Sequence, residues 1–142
     1  KQLDYLNDHP QCCICGSNFI YMGTRSGLKQ YPEDITRDSL FLESPFAHPT
    51  VMIRSEFLGE TKYNEDYRVS QDFELWSRLL KEGFYYHNIQ EALLQYRCSE
   101  KQIMSMSGGL QAQLSRNIRR KIVTKYALKF DDMFVFTIIL SH

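Results

Sequence analysis

The side chains best able to do chemistry gather in one run, Tyr67-Arg68-Val69-Ser70-Gln71-Asp72-Phe73-Glu74-Leu75-Trp76-Ser77-Arg78-Leu79-Leu80. The pattern reads as a loop entering a helix. Ser70 is a good N-cap, because its hydroxyl can accept a bond from a free backbone N–H. Asp72 then falls in the first turn, where the helix dipole favours negative charge. Leu75, Trp76 and Leu79 share a face with Asp72 at spacings of three and four. Glu74 and Arg78 are four apart in the order that suits an exposed ion pair. Gly83 is the expected stop. One carboxylate is thus held at the mouth of a helix whose apolar face is buried. Periodicity alone reads Asp72 as an ordinary first-turn acid.

Other candidates are weaker. Three of the four cysteines, Cys12, Cys13 and Cys15, crowd one apolar run, and Cys98 stands apart. Zinc sites usually draw on two separated ligand pairs, so buried reduced thiols are the expected state and a thiol or metal protein is the competitor. His48, between Ala47 and Pro49, reads first as a structural histidine. Arg116, Arg119, Arg120, Lys121 and Lys125 alternate with an apolar stripe. They read as a solvated helix face, or as an attachment to an anionic membrane surface.

The elements that must position these groups fit one domain or part of one. The chain has 142 residues, 43% hydrophobic and 24% charged, with zero formal net charge. Such a balance implies no general attraction to nucleic acid, which is not expected as a partner. No apolar run reaches the ~20 residues that a membrane-spanning helix needs. No secretory signal opens the chain, so an excised piece of a longer protein is expected.

In order, residues 1–8 read as a helix end stopped by His9-Pro10. Residues 12–22 read as a buried strand with a Gly16-Ser17-Asn18 interruption. Residues 23–40 read as a loop or short edge hairpin, and Leu40-Phe41-Leu42 as the start of a helical turn. Thr50-Val51-Met52-Ile53 reads as a strand, and residues 55–58 as a helical turn. Residues 84–89 read as a short aromatic strand, and residues 92–97 as a second strand or an extended segment. Leu110, Leu114, Ile118, Ile122 and Tyr126 recur every four residues, predicting an amphipathic helix to about residue 128. Asp131-Asp132 breaks it, and residues 133–140 are apolar on nearly every side.

Gln71, Asp72, Phe73, Leu75, Trp76, Arg78 and Leu79 together resemble the acidic-residue helix of inverting family-two glycosyltransferases. Four further segments, in order, are similar to parts of that family. Residues 1–10 resemble the stretch after its metal-binding DXD motif, with the Gly16-Ser17 strand following. Residues 45–54 resemble the strand before the acceptor pocket, residues 63–67 the approach to the Asp helix, and residues 91–97 the closing strand. The resemblance spans roughly residues 1 to 107. It implies an α/β chain with a partial GT-A fold, a mixed sheet with helices and a long C-terminal helix. Residues 1–107 would be the acceptor-side half of a catalytic domain, and residues 108–142 a helical extension.

By that resemblance Asp72 is the catalytic base, and Gln71, His48, Trp76 and Arg97 contact substrate. Trp76 at helical spacing is first a core residue, and Arg97 equally suits a solvated strand end. The implied partners are a nucleotide-sugar donor and a saccharide or lipid-linked acceptor, with peripheral membrane contact and a homodimer as further expectations. A cytoplasmic site at the inner face of the membrane, and a role in bacterial cell-envelope polysaccharide biosynthesis, would follow. A divalent metal, Mg or Mn, is expected in the full-length parent. This chain has no DXD motif and no preceding nucleotide-binding βαβ units, and it carries Ser99 where many members have a His. The chain alone is therefore expected to be inactive and to hold no metal of its own. The alternative is a non-catalytic binding or assembly module that retains the fold.

Overall fold

Two long strands form the spine of the molecule. A computed structural model describes residues 1–36, 39–67, 70–80, 83–100 and 109–127. Strand β1 (Cys12–Gly23) and strand β5 (Tyr85–Cys98) lie side by side and parallel, paired from Cys12↔Tyr85 to Gly23↔Cys98 with shifts of register on the way. Parallel neighbours need a long crossover. Here the crossover carries β2 (Gly27–Lys29), β3 (Asp34–Ile35), α2 (Ser39–Leu42), a 3₁₀ turn (His48–Thr50), β4 (Met52–Ile53), α3 (Ser55–Leu58) and α4 (Gln71–Leu79). Three of its strands return to the sheet antiparallel, β2 and β4 onto β1 and β3 onto β5. The result is a mixed sheet of order β2-β1-β5-β3, with β4 also on β1. An α/β chain with a mixed sheet is therefore what the sequence builds.

One face of the sheet carries the main core, where Ile14 and Tyr86 meet Phe46, Phe73, Trp76 and Leu79. The other face is covered by α1 (Gln2–Asp8), whose Leu6 packs on Cys12 and Cys15. All four cysteines are buried free thiols. Burial, with the neighbouring thiols, pushes Cys12 up to about 12, and burial pushes Cys15 up to about 11.

Two strand expectations are corrected. Residues 84–89 and 92–97 are not separate segments but one strand, β5. The break between them is a bulge: Ser17 pairs with Ile89 while Asn18 pairs with Ala92, leaving Gln90 and Glu91 extra. The Gly16-Ser17-Asn18 interruption is the same irregularity seen from β1. Nor is Thr50-Val51 strand. Thr50 ends the 3₁₀ turn, its Oγ1 lying 2.8 Å from the Ala47 carbonyl and accepting the Ser17 N–H at 3.2 Å. A β-branched residue that would suit a strand is used instead to tie the turn to β1.

Helix α5 (Gly109–Ala127) lies against α4 and α2, with Ile118 in the core. Its basic face is only partly solvated. Arg116 and Arg120 are exposed, but the Arg119 guanidinium sits 5.3 Å from the Phe73 ring centre. Lys121 donates to the Tyr67 hydroxyl at 2.9 Å. The Asp131-Asp132 break and the apolar tail 133–140 lie outside the described residues. Among the described residues no helix is long and apolar enough to cross a membrane.

Candidate functional site

The candidate carboxylate is held by its own helix. Asp72 Oδ1 accepts the Phe73 backbone N–H at 2.8 Å, one of the first-turn donors that no helical carbonyl can reach. Among the described residues its other oxygen has no hydrogen-bond partner. The expected serine cap is not made. Ser70 adopts the left-handed conformation (φ 59, ψ 26), which turns its hydroxyl away from the helix and 3.1 Å from Ser115 Oγ of α5. It is the one non-glycine residue with positive φ among those described. Backbone of this kind costs on the order of 1–2 kcal/mol and persists only where its surroundings hold it.

Below Asp72, α4 turns its apolar side inward. Trp76 is 1% exposed, edge-on to Phe46 with ring centres 5.4 Å apart. It therefore lies beneath the site rather than open on its surface, and among the described residues its buried indole N–H has no hydrogen-bond partner. The Glu74–Arg78 pair forms as expected, but Glu74 is buried, not exposed. Arg78 grips it with two bonds of 2.7 and 2.9 Å, and spends another donor on the Lys62 carbonyl at 2.7 Å. That third bond ties the loop before α4 to the helix itself.

The other candidate side chains come from the crossover. His48, exposed in the 3₁₀ turn, is 6.2 Å from Trp76 by ring centres and hydrogen-bonded through Nε2 to the Tyr63 hydroxyl at 2.6 Å. Burial raises the Tyr63 phenol above its ordinary value, and the Asp72 charge adds to the rise. Burial likewise pushes Tyr31 up to about 12, with the charges of Glu43 and Asp72 among the contributors. Tyr31 is fixed by its N–H to Asn18 Oδ1 at 2.8 Å and by Lys29, whose ammonium lies 5.0 Å from the ring centre.

Of the five expected site residues, Asp72, Gln71 and His48 share one region, with Gln71 exposed beside Asp72 and Trp76 underneath. Arg97 stands apart. It is exposed near the end of β5, and strand alternation turns it to the face opposite its neighbour Tyr96, which packs on Phe19 and Tyr21. Tyr31 and Tyr63 were not foreseen as site residues. Their signal was large aromatics placed in otherwise polar loops. Among the described residues no three His, Cys, Asp or Glu side chains converge as a metal site would require.

No protein-family model matches the chain. It is similar, however, to an uncharacterized glycosyltransferase of Methanocaldococcus jannaschii, 32% identical over 136 residues, covering 91% of this chain and 43% of that protein. It is also similar to an uncharacterized glycosyltransferase of Haemophilus influenzae, 31% identical over 98 residues, covering 68% of this chain and 30% of that protein. A Bacillus subtilis protein named as the glycosyltransferase EpsE is 29% identical over 103 residues, covering 68% of this chain and 37% of its own length. The chain spans less than half the length of each of these relatives.

Proposed function

We propose, from this kinship with glycosyltransferases, that the chain is the acceptor-side part of an inverting enzyme of the GT-A type, with Asp72 as its general base. The observation that carries the reading is a half-buried carboxylate fixed through one oxygen at a helix start, with polar side chains from two loops around it. In the reaction the other oxygen takes the proton from an acceptor hydroxyl. The hydroxyl oxygen forms the new bond to the anomeric carbon as the bond to the departing phosphate breaks on the opposite face, so the configuration inverts. One carboxylate is enough, unlike the pair that glycoside hydrolysis uses. Gln71 and His48 would hold the acceptor against Asp72, while Trp76 supports the helix from below. The nucleotide-sugar donor, and the Mg or Mn that the family resemblance implies, would be bound by the remainder of the parent protein.

The test is Asp72→Asn in the full-length parent. Asparagine keeps the shape and still accepts the Phe73 N–H, but it cannot take a proton. Turnover should fall by about 10²–10⁴-fold, the usual contribution of a general base. Near-normal turnover would reject the assignment. If the wild-type parent transfers no sugar at all, the binding-module alternative stands instead.

A further inference from the structure

Tyr63 combines features that the chemistry of Asp72 does not require. The residue is 46% exposed, and its partner His48 lies 6.2 Å by ring centres from Trp76, one helical turn along from Asp72. An exposed aromatic in a loop is ordinarily free to swing. This one is fixed on two sides. Its hydroxyl is held on His48 Nε2 at 2.6 Å, with the imidazole nearly perpendicular at 79°. The preceding residue is held by the bond from Arg78 to the Lys62 carbonyl at 2.7 Å, and Arg78 is itself locked on Glu74. The loop thus presents a rigid, open aromatic face beside the helix that carries Asp72.

We propose that Tyr63 is a platform on which the acceptor stacks, and that the acceptor is therefore a saccharide presenting a pyranose ring. The inference rests on reading the Asp72 region as the acceptor site, and it names what binds there. A pyranose has one C–H-rich face and a rim of hydroxyls. The face suits the open side of the phenol ring, and the rim suits Asp72, Gln71 and His48 at its border. A lipid chain would want a groove without these polar groups. An anionic phosphate at the same spot would meet the Asp72 charge, and the Arg78 guanidinium is already neutralised by Glu74. Because Tyr63 positions the acceptor and transfers no proton, its loss should weaken binding and leave the chemical step largely intact.

The experiment uses the intact chain and three kinds of probe: methyl glycosides of glucose, galactose and N-acetylglucosamine, glycerol, and uridine. Amide chemical shifts report binding, and the indole N–H of Trp76, the single tryptophan, reports folding. At least one glycoside should shift the signals of Tyr63 and its neighbours. Tyr63→Ala should weaken that binding about 10-fold, and Tyr63→Phe, which keeps the ring, by no more than about 3-fold. In the full-length parent, Tyr63→Ala should raise the acceptor KM about 10-fold with kcat within about 3-fold. Binding that is indifferent to Tyr63→Ala overturns the proposal. So does an absence of glycoside binding, or a response to uridine or glycerol alone. An inactive Asp72→Asn parent with an unaltered Tyr63→Ala would remove the platform and keep the base. An active Asp72→Asn parent with glycoside binding lost in Tyr63→Ala would do the reverse.

Discussion

Asn88 is the side chain whose removal should reveal most about how the loops around the candidate site are held. It is 0% exposed in β5, and its amide donates to the Pro32 carbonyl at 2.8 Å and the Pro45 carbonyl at 2.9 Å. Those carbonyls belong to the two loops that carry Tyr31 and lead into His48. The amide oxygen faces β1, where a β-carbon added to Gly16 would lie 2.1 Å from it and 2.9 Å from Phe46 Cδ1. Asn88→Ala removes two hydrogen bonds, each worth about 1 kcal/mol net, and leaves a buried carbonyl dry, for a total of about 3 kcal/mol. Gly16→Ala should also cost about 3 kcal/mol, the upper part of the usual overpacking range, because both bonds stop the amide from stepping aside.

The two costs should not add. Once Asn88 is alanine, the closest clash has gone and the new methyl fills part of the space left behind. The double variant should therefore lose about 3–4 kcal/mol rather than about 6, a coupling of about 2–3 kcal/mol. Urea unfolding followed by circular dichroism measures all three variants against the wild type. Additivity within about 0.5 kcal/mol would refute the reasoning, since it would mean that Asn88 yields freely and does not clamp the loops. A second readout is local. In Asn88→Ala the amide of Tyr31, which donates to Asn18, should exchange faster than it does in the wild type.

Glu74→Gln should destabilise the chain by about 1 kcal/mol, because Arg78 is half-exposed and solvent screens the pair. It should also raise the acceptor KM of the parent by loosening residue 62, and an unchanged KM would mean that the Arg78–Lys62 bond does not order the loop. The raised thiols and Tyr31 set an alkaline limit. Groups whose folded value lies above the unfolded one stabilise fully below the unfolded value and lose that contribution as pH rises through the folded one. The melting temperature should therefore fall from about pH 9 to about pH 12 as Cys12, Cys15 and Tyr31 ionise, and a midpoint flat to pH about 11 would contradict their burial. At neutral pH a disulfide-exchange reagent should label none of the four cysteines in the folded chain and all four in urea. Rapid labelling of Cys12 or Cys15 without denaturant would show that α1 does not cover them.

Periodicity disclosed α4, α1 and the buried start of β1 because each is decided locally, by apolar spacing and by His9-Pro10 or Gly16-Ser17-Asn18. What local pattern could not reveal were choices made by distant partners. The parallel pairing of β1 with β5 joins residues about seventy apart, and only that pairing turns Gln90 and Glu91 from a loop into a bulge. Thr50 has strand propensity, yet the Ser17 backbone across the sheet captures its hydroxyl. Ser70 has a capping hydroxyl, yet α5 brings Ser115 within reach and the Asp72 carboxylate binds a first-turn N–H instead. The same logic separates the candidate site residues. The place of Asp72 in a first turn was legible from periodicity and its proposed role only from the family resemblance, whereas Tyr31 and Tyr63 sit in loops without periodicity, so nothing in their spacing tied them to it.

Each loop of the candidate site is anchored by a different polar side chain on a rigid element. Thr50 ties the His48 turn to β1, Asn18 and Asn88 tie the Tyr31 loop to the sheet, and Arg78 ties the Tyr63 loop to α4. The carboxylate depends on none of these anchors, because its holding bond lies inside the helix. Acceptor choice and proton transfer should therefore be separable by mutation. Changes at residues 31 or 63, or at their anchors, should alter which acceptor is taken and how tightly, with the pH dependence of turnover unmoved. Should a Tyr63 or Arg78 variant shift that pH profile, the loops would be setting the ionisation of Asp72 as well, and base and platform would have to be treated as one coupled unit.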